Sequence, residues 1–172
     1  YKLNGRNYIF VNGSLNQDAP TIDNTYVSPR TRNQVVDNPT AQKTSSLEAG
    51  YIIRAPRVSG RLVGYVTDVK DATEIKRFFN DAPEFQTFVN YALTGVNTRY
   101  TGLEAAVNYK FNPSFDMTAA MAVGQAFYTN RPKVSVYRDN DTATAQVPRE
   151  TFIRNYYVAN GFQSAYTLGA HY

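Results

Sequence analysis

Acidic residues in the last third of the chain are the first candidates for metal chemistry. Residues 139–141 read Asp-Asn-Asp, and Glu150 occupies the twelfth position counted from Asp139, which is the spacing of a calcium-binding loop. Ala143 and Thr144 stand at positions five and six, where such a loop requires an oxygen ligand and a glycine. The sequence therefore predicts no calcium loop and no bound metal.

Other residues with reactive side chains are few and isolated. His171 is the single histidine, and the chain has no cysteine, so a typical zinc site cannot be assembled. Glu48 and Glu104 are not a catalytic pair, because no nucleophile or base accompanies them. No phosphate loop, Ser-His-Asp arrangement or dinucleotide fingerprint is present. We expect neither an enzyme nor a cofactor.

The net charge of +4 comes from lysines and arginines scattered through the chain. No run of five or six basic residues exists, so nucleic acid is not an expected partner.

Polar and apolar residues alternate with a period of two, which is typical of a strand with two different faces. The clearest example is a pair of stretches separated by the turn-like residues 112–114, Asn-Pro-Ser. Apolar residues on one side of this pair are Leu103, Ala105, Val107, Tyr109, Phe111, Phe115, Met117, Ala119, Met121 and Val123. Those on the other side are Glu104, Ala106, Asn108, Lys110, Asp116, Thr118, Ala120 and Ala122. This pattern predicts a hairpin with two long arms.

Four further stretches predict strands, at residues 8–15, 47–54, 59–68 and 162–172. In the third stretch, the sequence does not decide which residues share the apolar side, because Leu62 and Val66 compete with Val63 and Tyr65. Residues 71–74, Asp-Ala-Thr-Glu, have capping-box spacing. They favour either a short helix or a continuation of the preceding strand.

The connections alternate in length. Short turns are predicted near residues 4–7, 55–58 and 112–114, and long polar links near 17–45, 70–88 and 130–150. Outer-membrane barrels have short turns on one side and long loops on the other, and their strands need about 9–11 residues to cross the hydrocarbon. The expected fold is all-β, a segment of an antiparallel up-and-down transmembrane β-barrel with about six long strands.

No apolar stretch reaches the roughly 18 residues of a membrane helix, and no signal peptide is recognisable. Six strands alone would leave two unpaired edges in lipid. We therefore expect residues 1–172 to be one partial barrel domain, completed by strands from a longer polypeptide.

Three stretches resemble TonB-dependent outer-membrane receptors, especially those of the Bacteroidetes type. Asn-Pro at 38–39 leads into Ser-Ser-Leu-Glu-Ala-Gly-Tyr at 45–51, and residues 59–71 resemble the strand that follows in the family. Phe-Val-Asn-Tyr at 88–91 precedes Gly-Val-Asn-Thr-Arg-Tyr-Thr-Gly-Leu-Glu at 95–104. The order and spacing of these motifs within residues 38–104 carry the resemblance.

The resemblance implies a 22-stranded barrel in the bacterial outer membrane, with a plug domain and a TonB-contacting box in the missing N-terminal part. The full receptor would bind a scarce nutrient outside and import it with energy supplied through the TonB system. Expected partners are outer-membrane lipid, the plug of the same polypeptide, the TonB system and a surface lipoprotein. Glu48, Gly102, Glu104 and Asn108 would face the lumen or the plug. For Gly102, the alternative is a bulge or a close approach within a strand.

Four tyrosines flank the 130–150 link: Tyr128, Tyr137, Tyr156 and Tyr157. Their rings would contact a ligand on the loops or, alternatively, form an interfacial aromatic belt.

Two competing functions share parts of this pattern. A passive porin or structural barrel would have the same strands without plug and box. A soluble β-sandwich binding module would have two packed sheets, and the charged faces and long arms argue against it.

Overall fold

A computed structural model describes residues 1–31, 33–84, 86–141, 147–159 and 163–172. The elements in chain order are β1 (Asn7–Asp18), α1 (Ile22–Thr25), β2 (Gln42–Arg54), β3 (Val58–Asn80), β4 (Thr87–Asn112), β5 (Phe115–Tyr128), β6 (Lys133–Arg138), β7 (Arg149–Glu150) and β8 (Ser164–His171). No helix in the described residues is long and apolar enough to cross a membrane.

All strands belong to one antiparallel sheet with the order β1-β2-β3-β4-β5-β8. The strand β6 pairs with the first part of β4, beyond the end of β5, and β7 pairs with β6. In the described residues β1 and β8 are the two edges, so the sheet is open and no closed barrel is seen. The predicted all-β, antiparallel architecture with long strands is confirmed.

The short turns lie at one end of the sheet. The backbone N–H of Ala55 donates to the carbonyl oxygen of Val58 at 2.7 Å, and the backbone N–H of Ser114 donates to Oδ1 of Asn112 at 2.9 Å. We call the part of the sheet between these turns and the Val69–Thr98 pair the lower half, and the remainder the upper half.

The segment at residues 71–78 continues β3 as a strand, so the helix alternative is wrong and strand continuation is confirmed. Residues 74–80 pair residue by residue with β4, and Phe79 lies opposite Phe88, with ring centroids 5.3 Å apart. Much of the predicted 70–88 link is therefore strand, and β6 and β7 likewise occupy part of the 130–150 link.

Two opposed β-bulges separate the halves of the β3–β4 pair. The register shifts between Val69 and Ala72 and again between Ala72 and Glu74. Asp71 and Gly95 adopt positive φ values of 60° and 68° at these bulges. Such conformations favour glycine, and aspartate is among the residues that tolerate them. Bulges bend a strand locally and increase its twist, so they mark the boundary between the two halves of the β3–β4 pair.

The hydrophobic core lies in the upper half. Val27 and Val36, from the link between β1 and β2, pack with Ile75, Ala92 and Tyr137. Among the described strand residues below the Val69–Thr98 pair, Val63 is the only buried one. The lower half therefore has no core of its own.

Candidate functional site

The lower half has two chemically distinct faces. Directly paired residues on neighbouring strands point to the same side of a sheet, so the register assigns each residue to a face. Leucines and valines on the apolar face with exposures between 38% and 74% include Val11, Leu47, Leu62, Leu103, Val107 and Leu168. The register also resolves the phase of β3, where Leu62 and Val66 lie on the apolar face and Val63 and Tyr65 on the polar face.

Three residues that are directly paired across β3, β4 and β5 form the centre of the polar face. Tyr65 pairs with Gly102, and Gly102 pairs with Gly124. A Cβ atom at Gly102 would lie 2.7 Å from the Tyr65 hydroxyl and 2.7 Å from the Val123 carbonyl oxygen. The two glycines leave the space that the Tyr65 ring occupies, so the close approach expected at Gly102 is present. Phe10 lies over Gly50 in the same way.

Glu48 and Glu104 lie on this polar face and line one cavity of about 380 Å³. The carboxylate of Glu48 accepts a hydrogen bond of 3.4 Å from Nδ2 of Asn12. Hydroxyl groups of Ser14, Ser46 and Thr67 complete the polar wall. The structure thus brings both predicted glutamates to one polar cavity.

Two arginines add positive charge to the polar face. The guanidinium carbon of Arg61 lies 5.1 Å from the ring centre of Phe10, and that of Arg54 lies 5.6 Å from the ring centre of Tyr8. Cation–π contacts of this kind hold a long side chain against the surface of the sheet. The face therefore presents charges of both signs.

Asn108 lies on the same face, near the short turns. Its Nδ2 donates to Oδ1 of Asp116 at 2.8 Å and to Oγ1 of Thr118 at 2.9 Å. Nδ1 of His171 lies 3.8 Å from Oδ2 of Asp116. Asn108 is therefore engaged in cross-strand hydrogen bonds that hold β4 against β5.

The four candidate tyrosines have different surroundings. Tyr156 and Tyr157 are 66% and 61% exposed, and Tyr128 is half-buried at the end of β5. Tyr137 belongs to the core of the upper half and is 5% exposed, because β6 pairs with β4 there. Its ring faces protein, so stacking on a ligand from solution is left to the exposed tyrosines.

Burial raises the pKa of Tyr137, and the nearby Asp37 carboxylate adds to this shift. The Tyr137 hydroxyl donates a hydrogen bond of 3.4 Å to Oδ2 of Asp37. Burial also raises the pKa of Tyr128, with smaller contributions from Glu74 and Tyr100. Both tyrosines are therefore neutral at physiological pH and are not suited to act as bases.

The carboxylate of Asp139 is used inside the protein. It accepts hydrogen bonds from Nδ2 of Asn90 at 2.8 Å and from Oγ of Ser28 at 3.2 Å. Ala143 and Thr144 of the calcium-loop comparison lie outside the described residues, as does Phe162 of the last predicted strand. The described part of the chain contains no group of three His, Cys, Asp or Glu residues arranged to hold a metal.

A second polar cavity, of about 400 Å³, lies in the upper half. Its charged lining residues are Asp37, Asp71, Arg131 and Lys133, and the amides of Asn38 and Asn130 also line it. Sequence reasoning missed this cavity because its lining combines the β1–β2 link with residues of β3, β4 and β6 that are distant in sequence. The single local signal was Gly95, an isolated glycine within a strand.

Comparison of the chain with models of known protein families, with curated proteins and with solved structures found no match.

Proposed function

We propose that this chain is part of the wall of an outer-membrane β-barrel, within a transporter that imports a scarce nutrient with TonB-supplied energy. The observation that carries the wall proposal is the contrast between the two faces of the lower half. One face exposes a continuous apolar surface across the strands, and the other carries Glu48, Glu104, Arg54 and Arg61. An exposed apolar surface of this kind marks a site of contact with protein or membrane, and we propose that lipid covers it.

The height of the apolar face matches a membrane. On β4 it extends from Tyr109 to Leu103 and Thr101, and it ends at Arg99, which forms an ion pair with Asp68. Roughly ten residue steps at about 3.4 Å, tilted by about 40°, correspond to a height of about 26 Å. Outer-membrane barrels have an apolar band of about 25 Å. Aromatic rings of Tyr109 and Phe111, 4.7 Å apart, lie at the lower edge, where an aromatic girdle is expected.

The sidedness follows from the connections. Short turns join the strands at the lower edge, and the structured links lie in the upper half. In barrels of this class the short turns are periplasmic, so the upper half would be extracellular. Its polar cavity and the exposed Tyr156 and Tyr157 are then the surfaces open to cargo.

Active import rests on the resemblance of residues 38–104 to TonB-dependent receptors. On this proposal, Glu48, Gly102, Glu104 and Asn108 face the lumen, where a plug of the same polypeptide would lie. A passive porin is the second candidate, because a barrel wall with a wet interior serves either role. A β-sandwich module receives less support, since every described strand belongs to one sheet and no second sheet covers the apolar face.

Neighbouring residues of β4 provide a matched test of the wall. Leu103→Arg places a charge in the middle of the apolar face, and Glu104→Arg places the same side chain on the polar face. We expect Leu103→Arg to lower the stability of the membrane-inserted protein by about 2–4 kcal/mol, whereas Glu104→Arg has little effect on insertion. Folding into lipid vesicles, followed by heat-dependent migration on gels, measures both. Equal effects of the two variants would contradict the wall.

Uptake experiments separate the importer from the porin. For each candidate nutrient, a strain lacking the gene is compared with the parent strain, with and without an uncoupler of the inner-membrane potential. An importer loses accumulation when the uncoupler is added. Diffusion-like uptake that the uncoupler does not change would support the porin.

A further inference from the structure

A cluster of charged residues lies at the upper edge of the apolar face. Lys43 and Lys70 are directly opposite each other on β2 and β3. Asp68 and Arg99 pair in the next row on the same face, between β3 and β4. Below this cluster the apolar face is continuous through Val66 and Leu47, so the charges mark the boundary between apolar surface and water.

The two lysines form an unfavourable pair by themselves, because like charges directly opposite in a sheet destabilise it. Oδ2 of Asp71 lies 3.4 Å from Nζ of Lys43 and offsets part of this repulsion. Asp68 is held by Nε and Nη2 of Arg99 at 2.6 and 2.8 Å, so the Nη1 donors of Arg99 are not used in that pair. Three cations and two carboxylates leave one net positive charge.

We propose that Lys43, Lys70 and Arg99 bind the anionic phosphate of a lipid headgroup whose acyl chains cover the apolar face. One phosphate diester neutralises the remaining charge and lies between the two lysines. Lysine side chains at the edge of an apolar surface extend toward the headgroup region while their methylene groups cover that surface. This inference rests on the proposed barrel wall, since it requires lipid on the apolar face.

The experiment uses the full-length protein in a neutral detergent, titrated with phosphatidylglycerol, phosphatidylcholine or inorganic phosphate. The midpoint of thermal unfolding is the readout. Phosphatidylglycerol should raise this midpoint more than the other two additives. Replacing each lysine should increase the concentration required for half of the effect about fivefold, and about 25-fold in Lys43→Gln/Lys70→Gln. Lys43→Arg/Lys70→Arg should retain the response.

Lys76→Gln/Lys133→Gln is the matched control, because it removes the same charge from the upper half, above the apolar face. Its response should stay within about twofold of the unmodified protein. The inference is overturned if Lys43→Gln/Lys70→Gln keeps the full response, or if phosphatidylcholine or inorganic phosphate acts as strongly as phosphatidylglycerol. A protein that stays folded and soluble without detergent would instead refute the barrel wall itself.

Discussion

Gly102 holds a position that any side chain would crowd. An added Cβ would meet the backbone oxygen of Val123, which cannot move without distorting β5, as well as the Tyr65 ring. We therefore expect Gly102→Ala to lower the free energy of unfolding by about 1–3 kcal/mol. Gly169→Ala is the control, because nothing lies within 4 Å of a Cβ there. Denaturant unfolding in detergent measures both variants, and equal losses would refute the packing argument.

Tyr137 provides a prediction about pH, because burial raises its pKa in the folded state. The stability that this ring contributes is complete below the ordinary tyrosine pKa of about 10. It is lost as the pH rises through the raised value, because the unfolded chain ionises first. The stability difference between the wild type and Tyr137→Phe should therefore shrink as the pH rises above about 10. Unfolding free energies are measured at each pH for both proteins. A difference that does not change with pH would contradict the burial of Tyr137.

At the scale of elements, one side chain connects the β1–β2 link to the upper hairpin. The guanidinium of Arg77 donates to the carbonyl oxygens of Asp23, Tyr26 and Val27 at 2.6, 2.9 and 3.3 Å. Arg77→Met should loosen the link by about 2 kcal/mol, since hydrogen bonds from a charged donor are lost. Hydrogen exchange at the amides of Val27 and Val36 should then accelerate about 30-fold.

Lys76→Met serves as the comparison for Arg77→Met. Lys76 is adjacent, its side chain is 65% exposed, and its ion pair with Glu74 is of the surface kind that contributes little. Exchange that responds equally to both substitutions would show that Arg77 does not hold the link.

Most strands of the lower half could be predicted from alternation, and the upper half could not. Leu103 to Phe111 alternate so regularly that the face of each β4 residue follows from the sequence, and the pairing of β4 with β5 agrees with it. In β3 the glycines at 60 and 64 remove two of the apolar residues that would fix the phase, so pairing with β2 and β4 decides it. Tyr137 resembled a loop aromatic because its burial depends on Val27 and Val36, about 100 residues away in sequence. Contacts that distant leave no local pattern.

At the scale of the whole molecule, the two halves are stabilised in different ways. The upper half packs Val27, Ile75, Ala92 and Tyr137 into a core with water outside. The lower half buries almost nothing in itself and exposes leucine and valine on one side. Burial of apolar surface is the main favourable term in folding. The apolar face of the lower half is therefore uncovered in this chain, and on the proposed function lipid covers it.

A scan of nitroxide labels along β4 tests this arrangement directly. The chain has no cysteine, so single cysteines can be placed at each position from Leu103 to Lys110 without a background from this segment. In lipid vesicles, collision with oxygen should be greatest at Leu103, Ala105, Val107 and Tyr109. Collision with a water-soluble nickel chelate should be greatest at the positions between them. The period of two follows from the pleat of the strand.

The positions at which oxygen collision is greatest decide between the possible arrangements of the sheet. A barrel wall requires the oxygen maxima on the apolar face, and maxima at Glu104 and Asn108 would invert the proposed orientation. A β-sandwich would give low collision with both reagents on the packed face, because that face would be dry and distant from lipid. The scan thus distinguishes a wall between lipid and water from a sheet covered by protein, using residues whose register is already fixed by pairing with β3 and β5.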